Sequence, residues 1–128
     1  MNITAPLLWL GVFVAGGVGA WCRFRLDGLI ARHWSRSVPA GTFTINVLGS
    51  FGLGLLTGLA AAYASLAPLT VVLGTGMMGG FTTFSTANVE VVRLMLSGRP
   101  GAGIGLDVAT LVAAGAAAVL GLFLGGLW

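Results

Sequence analysis

The chain has 128 residues, 57% of them apolar and 7% charged, where ordinary soluble domains carry about 25% charged residues. Six arginines, three carboxylates and no lysine cannot solvate a globule of this size. With a mean hydropathy of +1.03, the composition excludes a large aqueous domain and requires an integral membrane protein. The net charge of +3 does not indicate a nucleic-acid partner, because the arginines are scattered and form no basic stripe.

A membrane-crossing helix needs about 20 predominantly apolar residues. Four segments qualify, at about 7–29, 42–63, 69–96 and 102–127, giving a single all-α domain over residues 1–128. The first lacks a positive n-region ahead of its apolar run, so it is read as a span and not as a cleaved signal peptide. It carries Gly11, Ala15 and Gly19 four residues apart, a spacing that lets helix backbones approach closely in lipid. The lone cysteine, Cys22, allows no intrachain disulfide. The connection Ala31 to Gly41 holds Arg32, His33, Trp34 and Arg36, and Pro39 with Gly41 is expected to stop a helix from running through it.

The second span presents Ser50, Gly54 and Gly58 on one face, and Ala64 to Pro68 reads as a short loop. The third contains Gly79-Gly80-Phe81-Thr82-Thr83-Phe84-Ser85-Thr86. Two glycines before four hydroxyl residues in five are poor central helix material, so a break is expected there. Backbone groups freed at membrane depth must then be met by protein, water or an ion, and broken spans mark ion sites in transporters. Ser97-Gly98-Arg99-Pro100-Gly101 has the composition of a turn. The fourth span carries Ala117, Gly121 and Gly125 on one face. Trp9, Trp21, Trp34 and Trp128 read as interfacial anchors in the lipid, and His33 and Asp107 read as edge residues without a role.

Four spans place the N-terminus, the 64–68 loop and the C-terminus on one side, which has no arginine. The other side carries Arg25, Arg32, Arg36, Arg93 and Arg99. The positive-inside rule puts that side in the cytoplasm and both termini outside, in one fixed orientation across the plasma membrane.

Three stretches carry a resemblance. They are Gly16-Gly17-Val18-Gly19-Ala20-Trp21-Cys22-Arg23, Gly41-Thr42-Phe43-Thr44-Ile45-Asn46-Val47-Leu48-Gly49-Ser50, and Gly79 to Thr86 followed by Glu90. In their order and spacing they resemble the CrcB/Fluc family of fluoride channels over nearly the whole chain. The resemblance implies an antiparallel dimer with two fluoride pores, exporting fluoride passively and relieving its toxicity. It also implies a structural sodium ion at the dimer centre, held by backbone carbonyls that map to Gly79 and Thr82. The pore asparagine maps to Asn46 and the first pore phenylalanine to Phe84, with Thr83, Ser85 and Thr86 among the hydroxyls near the pore. Arg23 maps to the vestibule and Glu90 to the polar track. The chain departs from the pattern at Ala87, where the second pore phenylalanine falls. It departs again on the fourth helix, where Ala116 and Leu120 stand in place of hydroxyl residues.

The residues support this chemistry in their own right. A small, strongly hydrated anion must exchange lost water for donors, which the Asn46 amide and the Thr83, Ser85 and Thr86 hydroxyls supply. The positive edge of the Phe84 ring faces an anion weakly enough to let it leave. Carbonyl oxygens suit a hard cation. Each residue also admits a structural role. Asn46 serves equally as interhelical glue, Phe84 as core filling, Glu90 as the partner of Arg93 one turn on, and Arg23 as a snorkelling cation.

An antiparallel homodimer needs one sequence to insert both ways, which a five-to-zero arginine bias opposes. Together with Ala87, this favours a heterodimer with a homologous subunit of opposite orientation. Two other classes remain as alternatives. One is a non-conducting accessory subunit. The other is a small multidrug-type proton-coupled exporter, which needs a carboxylate within the first span, where none precedes Asp27. No nucleophile–base pair, metal-ligand cluster or phosphate loop suggests an enzyme.

Overall fold

A computed structural model describes residues 4–34 and 39–128. Arg36, one of the five arginines in the topology reading, lies outside the described residues. The chain is helical almost throughout, and four helical segments are long and apolar enough to cross a membrane: Thr4–His33, Ala40–Ala62, Ala64–Leu96 and Pro100–Gly125. The first is helix α1 (Thr4–His33) and the second α2 (Ala40–Ala62). The third is composite. A 3-10 turn (Ala64–Leu66) leads into α3 (Ala67–Thr70), a π-helical stretch (Val71–Met78), α4 (Gly79–Phe81) and, after an interruption, α5 (Phe84–Leu96). The fourth is α6 (Pro100–Gly125).

Two connections differ from the sequence reading. Pro39 does precede α2, in extended backbone, but Gly41 lies inside the first turn of that helix. It is there for space, since a Cβ on Gly41 would collide with the Asp27 carboxylate of α1. The 64–68 loop is itself helical, and only Tyr63 is extended between α2 and the 3-10 turn. The 97–101 turn has the expected form. Gly98 adopts φ +77°, its N–H donates to Met95 O (3.2 Å), and Arg99 N–H donates to Leu94 O (3.0 Å). This is a Schellman cap, for which glycine has no steric penalty. Pro100 then opens α6 where a missing N–H has no consequence.

Lipid tails are as apolar as leucine, so helices in a membrane associate by close packing and not by hiding apolar surface. The interior follows that rule. Ile45 is the one large side chain buried to 1% exposure, while Phe13, Leu111 and Phe123 point outward. The interhelical seams are made of glycine. Between α2 and α6, a Cβ on Gly54 would strike the backbone of Ala118, and one on Gly58 that of Leu122. One on Gly121 would strike Phe51 and one on Gly125 Leu55. Between α1 and the third span, Gly19 lies against Met77, Gly76 against Val12 and Ala15, and Gly80 against Gly16. The small-residue faces read from the sequence are therefore the packing seams. The Tyr63 hydroxyl donates to the Trp128 carbonyl, tying the α2–α3 corner to the C-terminus at one end of the bundle. The described arginines at and beyond Arg25 sit towards the opposite end, on the last turns of α1 and around the α5–α6 turn.

Candidate functional site

The interruption in the third span falls at Thr82 and Thr83, both in extended backbone (ψ 158° and 118°). Thr82 still closes the preceding turn, its N–H and its hydroxyl both donating to Met78 O at 2.9 Å. In a continuous helix the Thr83 N–H would donate to the Gly79 carbonyl. It donates instead to Asn46 Oδ1 on α2 (2.9 Å), while Asn46 Nδ2 donates back to Thr83 O (3.0 Å). One side-chain amide thus satisfies both backbone groups of the residue at the break, which lipid could not do. The Gly79 carbonyl is released from its helix partner in consequence. Thr83 also caps α5, its Oγ1 accepting from Thr86 N–H (3.2 Å) and donating to Thr86 Oγ1 (3.1 Å). Ser85 Oγ lies 3.4 Å from the same hydroxyl. Asn46 is therefore interhelical glue in the literal sense, and one N–H of its amide remains beyond the bond to Thr83.

A groove of about 560 Å³ opens beside the break, walled by α2, the π-helical stretch, the start of α5 and α6. Asn46, Ser50, Thr75, Thr82 and Thr83 give it polar groups, and Phe84 and Ala87 lie along it. Phe84 is 82% exposed, so it does not fill the core of this chain. Ser85 and Thr86 are exposed and do not line the groove. A second pocket of about 10 Å³, the room of about one water, continues from Ala87 to Thr42 and Glu90.

Glu90 does not pair with Arg93. Its Oε1 accepts from the Thr42 hydroxyl (2.9 Å), and its Oε2 is buried with no hydrogen-bond partner. The Thr42–Glu90 hydrogen bond thus links α2 to α5. Arg23 sits on α1 with Nη1 3.4 Å from Thr82 O, a long contact to a break carbonyl. The structure therefore brings Asn46, Thr83, Phe84, Gly79 and Thr82 to one groove, with Arg23 behind it and Glu90 at the far end of the small pocket.

Two residues were missed. Thr110 and Asp107 on α6 line both cavities, so the fourth helix does bring a hydroxyl to the groove, at Thr110 and not at Ala116 or Leu120. The Thr110 hydroxyl donates to Leu106 O (2.7 Å), its own helix. The available signal was helical spacing, since Gly103, Asp107, Thr110 and Ala114 recur at four, three and four residues, on one face. Asp107 is exposed and forms part of the groove wall.

Gly79 is exposed, with open space where a Cβ would lie. Its released carbonyl and that of Thr82 are hard oxygen donors of the kind a small monovalent cation takes. In donor chemistry these two carbonyls fit such an ion. No group of three or more His, Cys, Asp or Glu side chains gathers to hold a metal among the described residues.

The sequence profile of the CrcB-like proteins, described as "CrcB-like protein, Camphor Resistance (CrcB)", matches residues 10–122. The chain belongs to the CrcB family. A relative from Leifsonia xyli named fluoride-specific ion channel FluC 1 is 47% identical over 122 residues, covering 95% of this chain and 89% of its own. FluC 2 of Cutibacterium acnes is 45% identical over 120 residues, covering 93% and 96%. FluC 3 of Bifidobacterium longum is 44% identical over 99 residues, covering 77% and 79%. The CrcB match takes in the greater part of all four spans, so the break, the Asn46 bracket and the groove all lie inside it. The chain is a multi-pass protein of the plasma membrane.

Proposed function

We propose that this chain is a subunit of a fluoride-selective channel that lets fluoride leave the cytoplasm passively. The observation that carries the reading is the broken third span bracketed by Asn46, with Phe84 standing almost bare beside it. Fluoride holds its water tightly, so its route must offer replacement donors without trapping the ion. The second N–H of Asn46 is a donor of this kind within reach of the groove, and the Thr83 and Thr110 hydroxyls join it on rotating away from Thr86 Oγ1 and Leu106 O. The ring edge of Phe84 offers a weak positive face. Arg23, behind the break, raises the local anion concentration. Relatives named as ion channels support a role that is not enzymatic.

Phe84, Ser85, Thr86 and Gly79 turn outward from this chain, and polar backbone at membrane depth needs a protein cover. A homologous subunit in antiparallel orientation is the cover we assign. The Gly79 and Thr82 carbonyls of both subunits would then hold a structural sodium ion, which supplies charge to bind the two broken spans together. The one-sided arginines assign this chain a fixed orientation with both termini outside, which favours a partner of the opposite bias over a second copy.

The test is growth of a fluoride-sensitive bacterium lacking its own exporter. Expression of this chain with its oppositely biased homologue should restore growth in fluoride, and Asn46→Asp should cancel the rescue. Failure of the pair to rescue, with both proteins present in the membrane, would refute the proposal. Labelling of single cysteines in a Cys22→Ser background tests the orientation. Reaction of one site from both sides of the membrane would overturn the fixed topology.

A further inference from the structure

The walls of the groove carry an imbalance that its proposed cargo makes conspicuous. Among the residues lining the 560 Å³ groove, Asp107 is the one charged side chain, and Glu90 joins it in the small pocket. Neither cavity has a lysine, arginine or histidine in its lining. α2, the helix packed most closely against α6, has no charged residue at all. α5, also packed on α6, carries Glu90 and Arg93, and of these Glu90 alone faces the pocket. Asp107 makes no hydrogen bond or ion pair among the described residues. It lies seven residues beyond Pro100, about 10 Å along the helix at 1.5 Å per residue. It is exposed to the groove, and a carboxylate within a membrane-spanning helix tends to mark an ion path.

Position 87 makes this charge effective. Ala87 lines both cavities beside Asp107. With a methyl group there, no bulky ring separates the carboxylate from an ion in the groove.

We infer that Asp107 sets the charge preference of this chain's groove, disfavouring anions at Ala87 and making this wall the poorer fluoride route of the assembled channel. The inference rests on reading the groove as an ion route, and it deepens that reading by naming the residue that biases it. The field of one unpaired carboxylate across a partly wetted gap changes local anion concentration by about tenfold.

The test reads the field without relying on fluoride. In the full chain with Cys22→Ser and Ala87→Cys, the rates of modification by an anionic and a cationic methanethiosulfonate of similar size are compared. Asp107→Asn should raise the anionic-to-cationic rate ratio by about tenfold, and Asp107→Glu should restore the cationic preference. A ratio unmoved by Asp107→Asn overturns the inference, and so does a cysteine at position 87 that reacts with neither reagent. Fluoride efflux from liposomes holding the assembled channel is measured in parallel and should rise severalfold in Asp107→Asn. A shifted ratio with no fluoride efflux in any variant would uphold Asp107 as the charge determinant and remove the fluoride reading, so the two fail separately.

Discussion

Replacing Asn46 with alanine removes both hydrogen bonds that close the break. Thr83 is 8% exposed, so its N–H and C=O lose partners at 2.9 and 3.0 Å in a site with little solvent. Leaving a buried backbone group unpaired costs about 1–3 kcal/mol, and water entering from the groove recovers part of it, so Asn46→Ala should lose about 2–4 kcal/mol of stability. Asn46→Asp separates the two bonds. Its carboxylate still accepts from Thr83 N–H but faces Thr83 O with no donor, so fluoride flux should vanish while the stability loss depends on how far the carboxylate turns from that carbonyl. Unfolding midpoints in detergent, set beside fluoride efflux from liposomes, measure the two effects. An Asn46→Ala protein as stable as the parent would refute the bracket.

Other substitutions probe separate parts of the account. Phe84→Ile should reduce fluoride efflux while leaving the stability of the isolated subunit near the parent's, because the ring is 82% exposed; an equal loss in both would make Phe84 a packing residue. Gly58→Ala drives a methyl group into the backbone of Leu122 on α6 and should lower stability by about 1–3 kcal/mol in a thermal unfolding series. Gly98→Ala meets open space, so the change should be limited to the conformational penalty of a positive φ, about 1 kcal/mol. Thr42→Val removes the one side-chain hydrogen bond Glu90 makes among the described residues, and should slow fluoride efflux with the fold retained, as judged by circular dichroism and elution volume.

The parts of this structure that were legible in the sequence are those dictated by solvent and close packing. Span lengths follow from bilayer thickness, and the glycines at 54, 58, 121 and 125 announced a seam because lipid rewards backbone approach. The break was legible in type, from Gly79-Gly80 and the hydroxyls that follow. That it centres on Thr83, and that Asn46 serves both of its backbone groups, depends on the α2–α5 distance, which no local pattern encodes. Nothing in the residues 71–78 distinguishes a π-helical stretch from an ordinary helix. The family pattern points to fourth-helix hydroxyls at 116 and 120, whereas the groove is faced by Asp107, Thr110 and Ala114. α1 and α2 are separate helices, with Pro39 extended before α2, whereas the role of Gly41, room for Asp27, lies on another helix and is not encoded locally. The Glu90–Arg93 pairing was plausible by spacing alone, but Thr42 reaches Glu90 across the α2–α5 interface.

The central claim is that this chain helps to form a route for fluoride. Its most direct test is efflux from liposomes loaded with fluoride and chloride and reconstituted with the purified chain and its oppositely oriented homologue, each ion followed with its own electrode. The account predicts rapid loss of fluoride with chloride retained. Retention of fluoride by liposomes that hold both folded subunits, or equal release of the two anions, would contradict it.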